Sequence, residues 1–179
     1  MTMIYNKYID SYVWKVERGE IIVGEDIKKL IKNVIHPKLS KDNIVIKHDL
    51  IEQQINKINE YFPFKLFDWQ EFAIALTHCY YDDDTLVWNN FLLMMGRGAG
   101  KKTGFIAGLS FYYTTPFHGV REYNIDIVAN SERQAKTSFE DVRLVIQENK
   151  KLHKYFKCTK EEIIFKKDEF IHSFQYLKC

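Results

Sequence analysis

A chain of 179 residues has material for one domain with a real hydrophobic core and a small appendage. Hydrophobic residues at 46% and aromatics at 15% exclude a disordered chain. The 26 Lys and Arg against 24 Asp and Glu leave a net charge of +2, which excludes a strongly basic nucleic-acid binder but leaves room for a local patch.

In chain order, residues 5–18 carry Tyr5, Ile9, Tyr12, Val13 and Val16 at helical spacing, and Gly19 is placed to close that helix. A second helical stretch runs from about Gly24 to Val34, before an expected break at Pro37. Asp49 is the expected N-cap of a third, with Leu50, Ile51, Ile55 and Ile58 on one face and Pro63 ending it. Residues 1–62 thus read as a helical N-terminal lead-in without identifiable chemistry. From Leu66 the texture changes. Residues 68–80 read as a helix capped by Asp68, and Asp82–Asp84 as a polar turn. Leu86–Met95 reads as a buried central strand, because it is nearly continuous in apolar character. Gly96–Gly100 is a glycine-rich turn, and Lys101 to about Tyr113 is a helix. Ile125–Ala129 is a strand, Ser131 caps a helix through about Asn149, and Ile163–Phe165 begins another strand. The order is βαβαβ, which predicts an α/β fold with an incomplete, P-loop NTPase-like parallel sheet over residues 63–166.

Cys79, Cys158 and Cys179 are odd in number, far apart and without a CxxC pair, so reduced thiols are expected. The six histidines show no zinc-ligand spacing. No apolar run reaches the ~18 residues of a membrane span, and the first residues lack a signal-peptide pattern. The expectation is a soluble, cytoplasmic protein with no membrane partner.

The chemistry concentrates at Met94-Met-Gly-Arg-Gly-Ala-Gly-Lys-Lys-Thr103. A nucleoside triphosphate presents several anionic oxygens that need donors at close range. Glycines let backbone N–H groups approach, the following helix adds its positive end, and a lysine neutralises the outer phosphates. The consensus GxxxxGK[ST] is not met in full: Met95 stands where the first glycine belongs, and Lys102 where Ser or Thr would hold Mg²⁺. Thr103 carries a hydroxyl, but one residue of shift rotates it by about 100° around the helix. A glycine-rich turn with a surface lysine is the plainer alternative.

A loop of the form Gly-Arg-x-x-Gly-Lys without the first glycine resembles the deviant phosphate loop of the large terminase subunits of tailed bacteriophages. Leu66-Phe-Asp-Trp-Gln-Glu-Phe72 resembles that family's upstream Trp-Gln adenine motif, Gly104-Phe-Ile-Ala-Gly108 its following helix, and Ile125-Asp-Ile-Val-Ala-Asn-Ser131 with Gln134-Ala135 its next strand and helix start. The likeness runs from about Tyr12 to about Lys166. It implies an ATPase, using ATP and Mg²⁺, that with a separate nuclease domain threads double-stranded viral DNA through a portal and works beside a small terminase subunit in the host cell. Carried over, Lys101 contacts the β- and γ-phosphates, Gly96, Gly98, Ala99 and Gly100 wrap them, and Lys102 and Thr103 open the helix beside them. Arg97 is a candidate for stabilising the transferring phosphoryl group, Gln70 for reading the adenine edge, and Trp69 for packing near the base. Against these stand plainer roles: Trp69 in a core, Gln70 as a helix residue, Arg97 in a surface ion pair. The metal ligands remain unknown, because no apolar strand ending in Asp-Glu follows the loop. A non-catalytic binding module and a helicase-type ATPase fragment are the alternatives. Residues 167–179 do not continue the likeness. They are expected to be an atypical tail, accounted for by a frameshift that truncates the ATPase, with a divergent final strand as the alternative.

Overall fold

The computed structural model describes residues 4–96, 98–167 and 170–177, with the backbone alone at 101–103. The chain is mixed α/β, and it divides into two compact units, Met1–Glu52 with Phe67–Leu93, and Gln53–Leu66 with Met94–Cys179.

In the first unit, α1 (Lys7–Glu17) starts at Asn6, whose side chain accepts the Tyr8 amide at 3.0 Å. Ile9, Tyr12, Val13 and Val16 are its buried face, and Gly19 at φ +73° ends it, as the sequence predicts. The second helical stretch does not break at Pro37. It runs as α2 (Glu25–Leu30), a π turn (Ile31–Ile35) and α3 (His36–Leu39). The wide π turn just upstream gives the pyrrolidine ring room that a regular α-turn denies it. β1 (Ile44–Ile46) is followed by α4 (His48–Tyr61), in which Asp49 lies in the first turn rather than at the cap. The first five residues of α4 belong to this unit and the rest to the other. α5 (Asp68–Thr77) packs on α1, with Tyr12 and Phe72 stacked at 4.6 Å and Lys15 paired to Asp68 at 2.7 Å. Asp68 is therefore the first helical residue, and Phe67 occupies the cap position. β2 (Cys79–Tyr81) pairs antiparallel with β1, and the Asp82–Asp84 turn follows, with Asp83 accepting the Thr85 amide at 2.9 Å.

Leu86–Met95 is not a strand. Leu86 bridges to Tyr80 and the Val87 amide bonds the Cys79 carbonyl at 3.0 Å, after which no ladder forms among the described residues. Leu92 and Met94 are 86% and 85% exposed. The apolar run predicted burial correctly only for a sheet that offers it a neighbouring strand, and this arrangement offers none.

In the second unit, a π turn (Lys101–Ile106) continues into α6 (Ala107–Thr114) and a 3₁₀ turn (Pro116–His118). β3 (Glu122–Ile127), α7 (Glu132–Glu148), α8 (Lys150–His153), β4 (Phe156–Cys158), β5 (Glu162–Lys167) and β6 (Phe170–Tyr176) complete it. The sheet order is β3-β6-β5-β4. Only β3 and β6 are parallel; β6 with β5, and β5 with β4, are antiparallel, which corrects the expected parallel sheet. The reason is connection length. Thr159 ties a tight turn between β4 and β5 by bonding Glu162 through both its amide (2.8 Å) and its hydroxyl, and two residues separate β5 from β6. Parallel neighbours need a crossover of a dozen residues or more. The β3–β6 pair has one, running through α7.

Within the segment expected to be an atypical tail, with a divergent final strand as the alternative, Phe170–Tyr176 forms the strand between β3 and β5. His172 and Phe174 are fully buried and Tyr176 nearly so. Phe139 of α7 meets Phe174 at 5.3 Å and Tyr176 at 5.2 Å, while Tyr113 of α6 stacks on Tyr123 at 5.1 Å. Both helices thus cover one face of the sheet. On the other face polar pairs join β3 to β6, Ser173 donating to Asn124 and Gln175 to Asp126, each at 2.9 Å. Within the same unit α6 approaches α4 closely, and a Cβ on Gly108 would sit 3.1 Å from Ile58.

Candidate phosphate-binding loop

The glycine turn adopts the backbone its composition predicts. Gly98 and Gly100 have φ of +80° and +76°, a region that residues with a Cβ enter at a cost of roughly 1–2 kcal/mol. A Cβ built on Gly96 or Gly98 meets nothing within 4 Å, so the turn faces open space, and Ala99 is half-buried. The amides of Gly104 and Phe105 both donate to the Gly100 carbonyl at 3.2 Å, which starts the helical run from Lys101 to Thr114. The leading amides of that run, at residues 101–103, therefore have no earlier turn to bond and mark its positive end.

Arg97 and the side chains of Lys101, Lys102 and Thr103 lie outside the described residues. Trp69 and Gln70 belong to α5 in the first unit, the glycine turn to the second. Gln70 is 1% exposed, and its Oε1 accepts the Phe67 amide at 2.7 Å. That bond caps α5 from its third residue, so the side-chain carbonyl already has a structural task. Trp69 is half-buried.

A groove of about 650 Å³ lies along the C-terminal half of β3, between α6 and the first turns of α7. Ile106, Leu109, Ile125 and Ile127 give it apolar walls, and Ser110, Gln134 and Ser138 give it polar ones. Sequence reading singled out only Gln134 of these polar residues. Ser110 and Ser138 carry no motif, and it is the packing of α6 on α7 that brings them together.

A second cluster also escaped the sequence reading. His118 and His172 stack at 4.9 Å. His118 Nε2 donates to the Tyr113 carbonyl at 3.1 Å and His172 Nε2 to the Val120 carbonyl at 2.8 Å, while His172 Nδ1 is buried without a partner. Burial first, and the neighbouring His172 second, push the His118 imidazole down to about 4. The rings hold the ends of the α6–β3 connection. Fifty-odd residues of separation hid the pairing from sequence.

The residues at the loop fit a polyphosphate: glycines that admit backbone donors, and a helix start. For Mg²⁺ the sequence offers the Thr103 hydroxyl as an oxygen donor there, with the amine of Lys102 at the preceding position. Among the described residues no group of three or more His, Cys, Asp or Glu side chains is placed to hold a metal ion, and no helix is long and apolar enough to cross a membrane. No protein family, no curated protein and no solved structure was found to match the chain.

Proposed function

We propose that the Gly96–Thr103 loop binds the phosphates of ATP, and that the chain is the N-terminal ATPase portion of a viral DNA-packaging motor of the large-terminase type. The observation that carries this reading is the pair of left-handed glycines, Gly98 and Gly100, set directly before the helix that begins at Lys101. That backbone is costly for any residue but glycine, and a glycine turn running into a helix start is the kind of arrangement that offers backbone amides to an anion. Lys101 then adds the charge for the outer phosphates. Double-stranded DNA, a portal and a small terminase subunit are the partners of the whole motor in this reading.

Nucleotide binding without hydrolysis is a second reading, favoured by β6. The strand beside β3 ends in Phe174-Gln-Tyr176 and offers no carboxylate there to orient water or hold a metal ion. Titration with a fluorescent ATP analogue tests the shared premise. Lys101→Ala removes a charge-assisted contact worth about 1.5–3 kcal/mol, so affinity falls roughly tenfold or more. Equal affinity in the two proteins would remove the phosphate-loop assignment.

A further inference from the structure

β3 is the end strand of its sheet, paired with β6 on one side and with no strand on the other among the described residues. Open edges are templates for further pairing, and proteins blunt them with short strands, charged side chains, bulges, proline or a covering element. β3 has six regular residues and no proline; its exposed charges, Glu122 and Asp126, restrict the registers in which a partner strand can pair. Its apolar residues add to the exposure: Ile125 and Ile127 are half-buried and Val128 is 64% exposed.

We propose that a second copy of this chain pairs with that edge, β3 against β3 and antiparallel, in a two-fold dimer whose axis passes through Ile125. The register follows from face and charge. A two-fold axis perpendicular to the sheet keeps the helix-covered faces on the same side, and directly opposed residues in an antiparallel pair share a face. Helix-face residues (Tyr123, Ile125, Ile127) must therefore oppose helix-face residues, and polar-face residues (Glu122, Asn124, Asp126) must oppose each other. Centring the axis on Asn124 faces Glu122 with Asp126 twice, and centring it on Asp126 faces that carboxylate with itself. Like charges directly opposite are destabilising. Centring on Ile125 instead sets Ile125 against Ile125, Tyr123 against Ile127, and the Asn124 amide against the Asp126 carboxylate, twice over. Centring on Tyr123 or Ile127 also avoids opposed like charges but pairs at most three residues of each strand, so Ile125 gives the longest self-complementary ladder.

Sedimentation of the full chain over a wide concentration range tests this. The expected result is a reversible shift from the 21.4 kDa monomer to a species of twice that mass. Asn124→Asp keeps the oxygen that accepts the Ser173 hydroxyl but faces two carboxylates across each symmetric pair, so the dimer dissociation constant rises roughly tenfold. Combining it with Asp126→Asn restores an amide facing a carboxylate, and the affinity returns. Lys157→Asp, on β4 at the opposite end of the sheet, leaves the dimer unchanged. A monomer at every concentration overturns the proposal. So does open-ended assembly, a dimer indifferent to Asn124→Asp, or a failure of the exchanged pair to rescue. None of these outcomes depends on nucleotide binding.

Discussion

The stacked imidazoles of His118 and His172 make acid sensitivity a calculable property of the second unit. With its imidazole displaced from 6.5 to about 4, His118 stays neutral in the folded chain at pH values where the unfolded chain has already taken up a proton. Stability is therefore full above pH 6.5, falls as the pH drops toward 4, and loses nothing more to this group below that, once both states bind the proton. Each pH unit between the two values corresponds to 1.36 kcal/mol, an upper bound of ~3 kcal/mol in total. The ring is partly exposed, and solvent screening lowers the expected loss to ~2 kcal/mol. Urea unfolding followed by aromatic fluorescence at a series of pH values from 7.5 to 4 measures it, with His118→Phe as the comparison. Phenylalanine keeps a flat ring against His172 but cannot titrate. It forfeits the hydrogen bond to the Tyr113 carbonyl, about 1 kcal/mol at neutral pH. The variant is thus less stable than the wild type at pH 7.5, and its stability declines less between 6.5 and 4. Parallel curves for the two proteins over that window would refute the reasoning.

Further expectations concern the sheet, the helix packing and the chemistry. Phe174→Ala empties a fully buried site on β6 beside Phe139 and costs about 3–5 kcal/mol by urea unfolding; a change within about 0.5 kcal/mol would show that this strand is a passenger in the fold. Gly108→Val forces a branched side chain against Ile58, already 3.1 Å from where a Cβ would sit, and costs about 1–3 kcal/mol in the same assay. With no positioned metal ligand or water-orienting carboxylate among the described residues at the loop, phosphate release from Mg·ATP is expected to stay negligible; turnover near ~1 per second, at the low end of ordinary enzymes, would contradict this.

Helix faces were legible because their spacing is local. Ile9, Tyr12, Val13 and Val16, and later Ile51, Ile55 and Ile58, are buried as their periodicity predicts. The glycine turn was legible for a similar reason, since left-handed backbone at Gly98 and Gly100 is a demand met within the residue itself. What failed were statements about neighbours. The apolar run 86–95 predicts a buried strand, but burial needs a partner strand that no local pattern supplies. Phe170–Tyr176 alternates in burial much as a half-buried strand should, but it lies beyond about Lys166, where the terminase likeness ends. Pro37 predicts a break, and a single π turn one residue upstream absorbs it.

The position of β6 bears most on what this chain can do. In a sheet whose helices both lie on one face, β6 is covered on that face by α7 and joined on the other by polar cross-strand bonds to β3. Its side chains are therefore committed to holding the sheet together: His172 to the Val120 carbonyl, Phe174 and Tyr176 to Phe139, Ser173 and Gln175 to Asn124 and Asp126. None of them remains to act on a phosphate. Catalytic help for a nucleotide at the glycine turn would have to come from elsewhere, whereas binding needs only the turn, the helix start and Lys101. β6, an inner strand of its sheet, thus carries structure rather than chemistry.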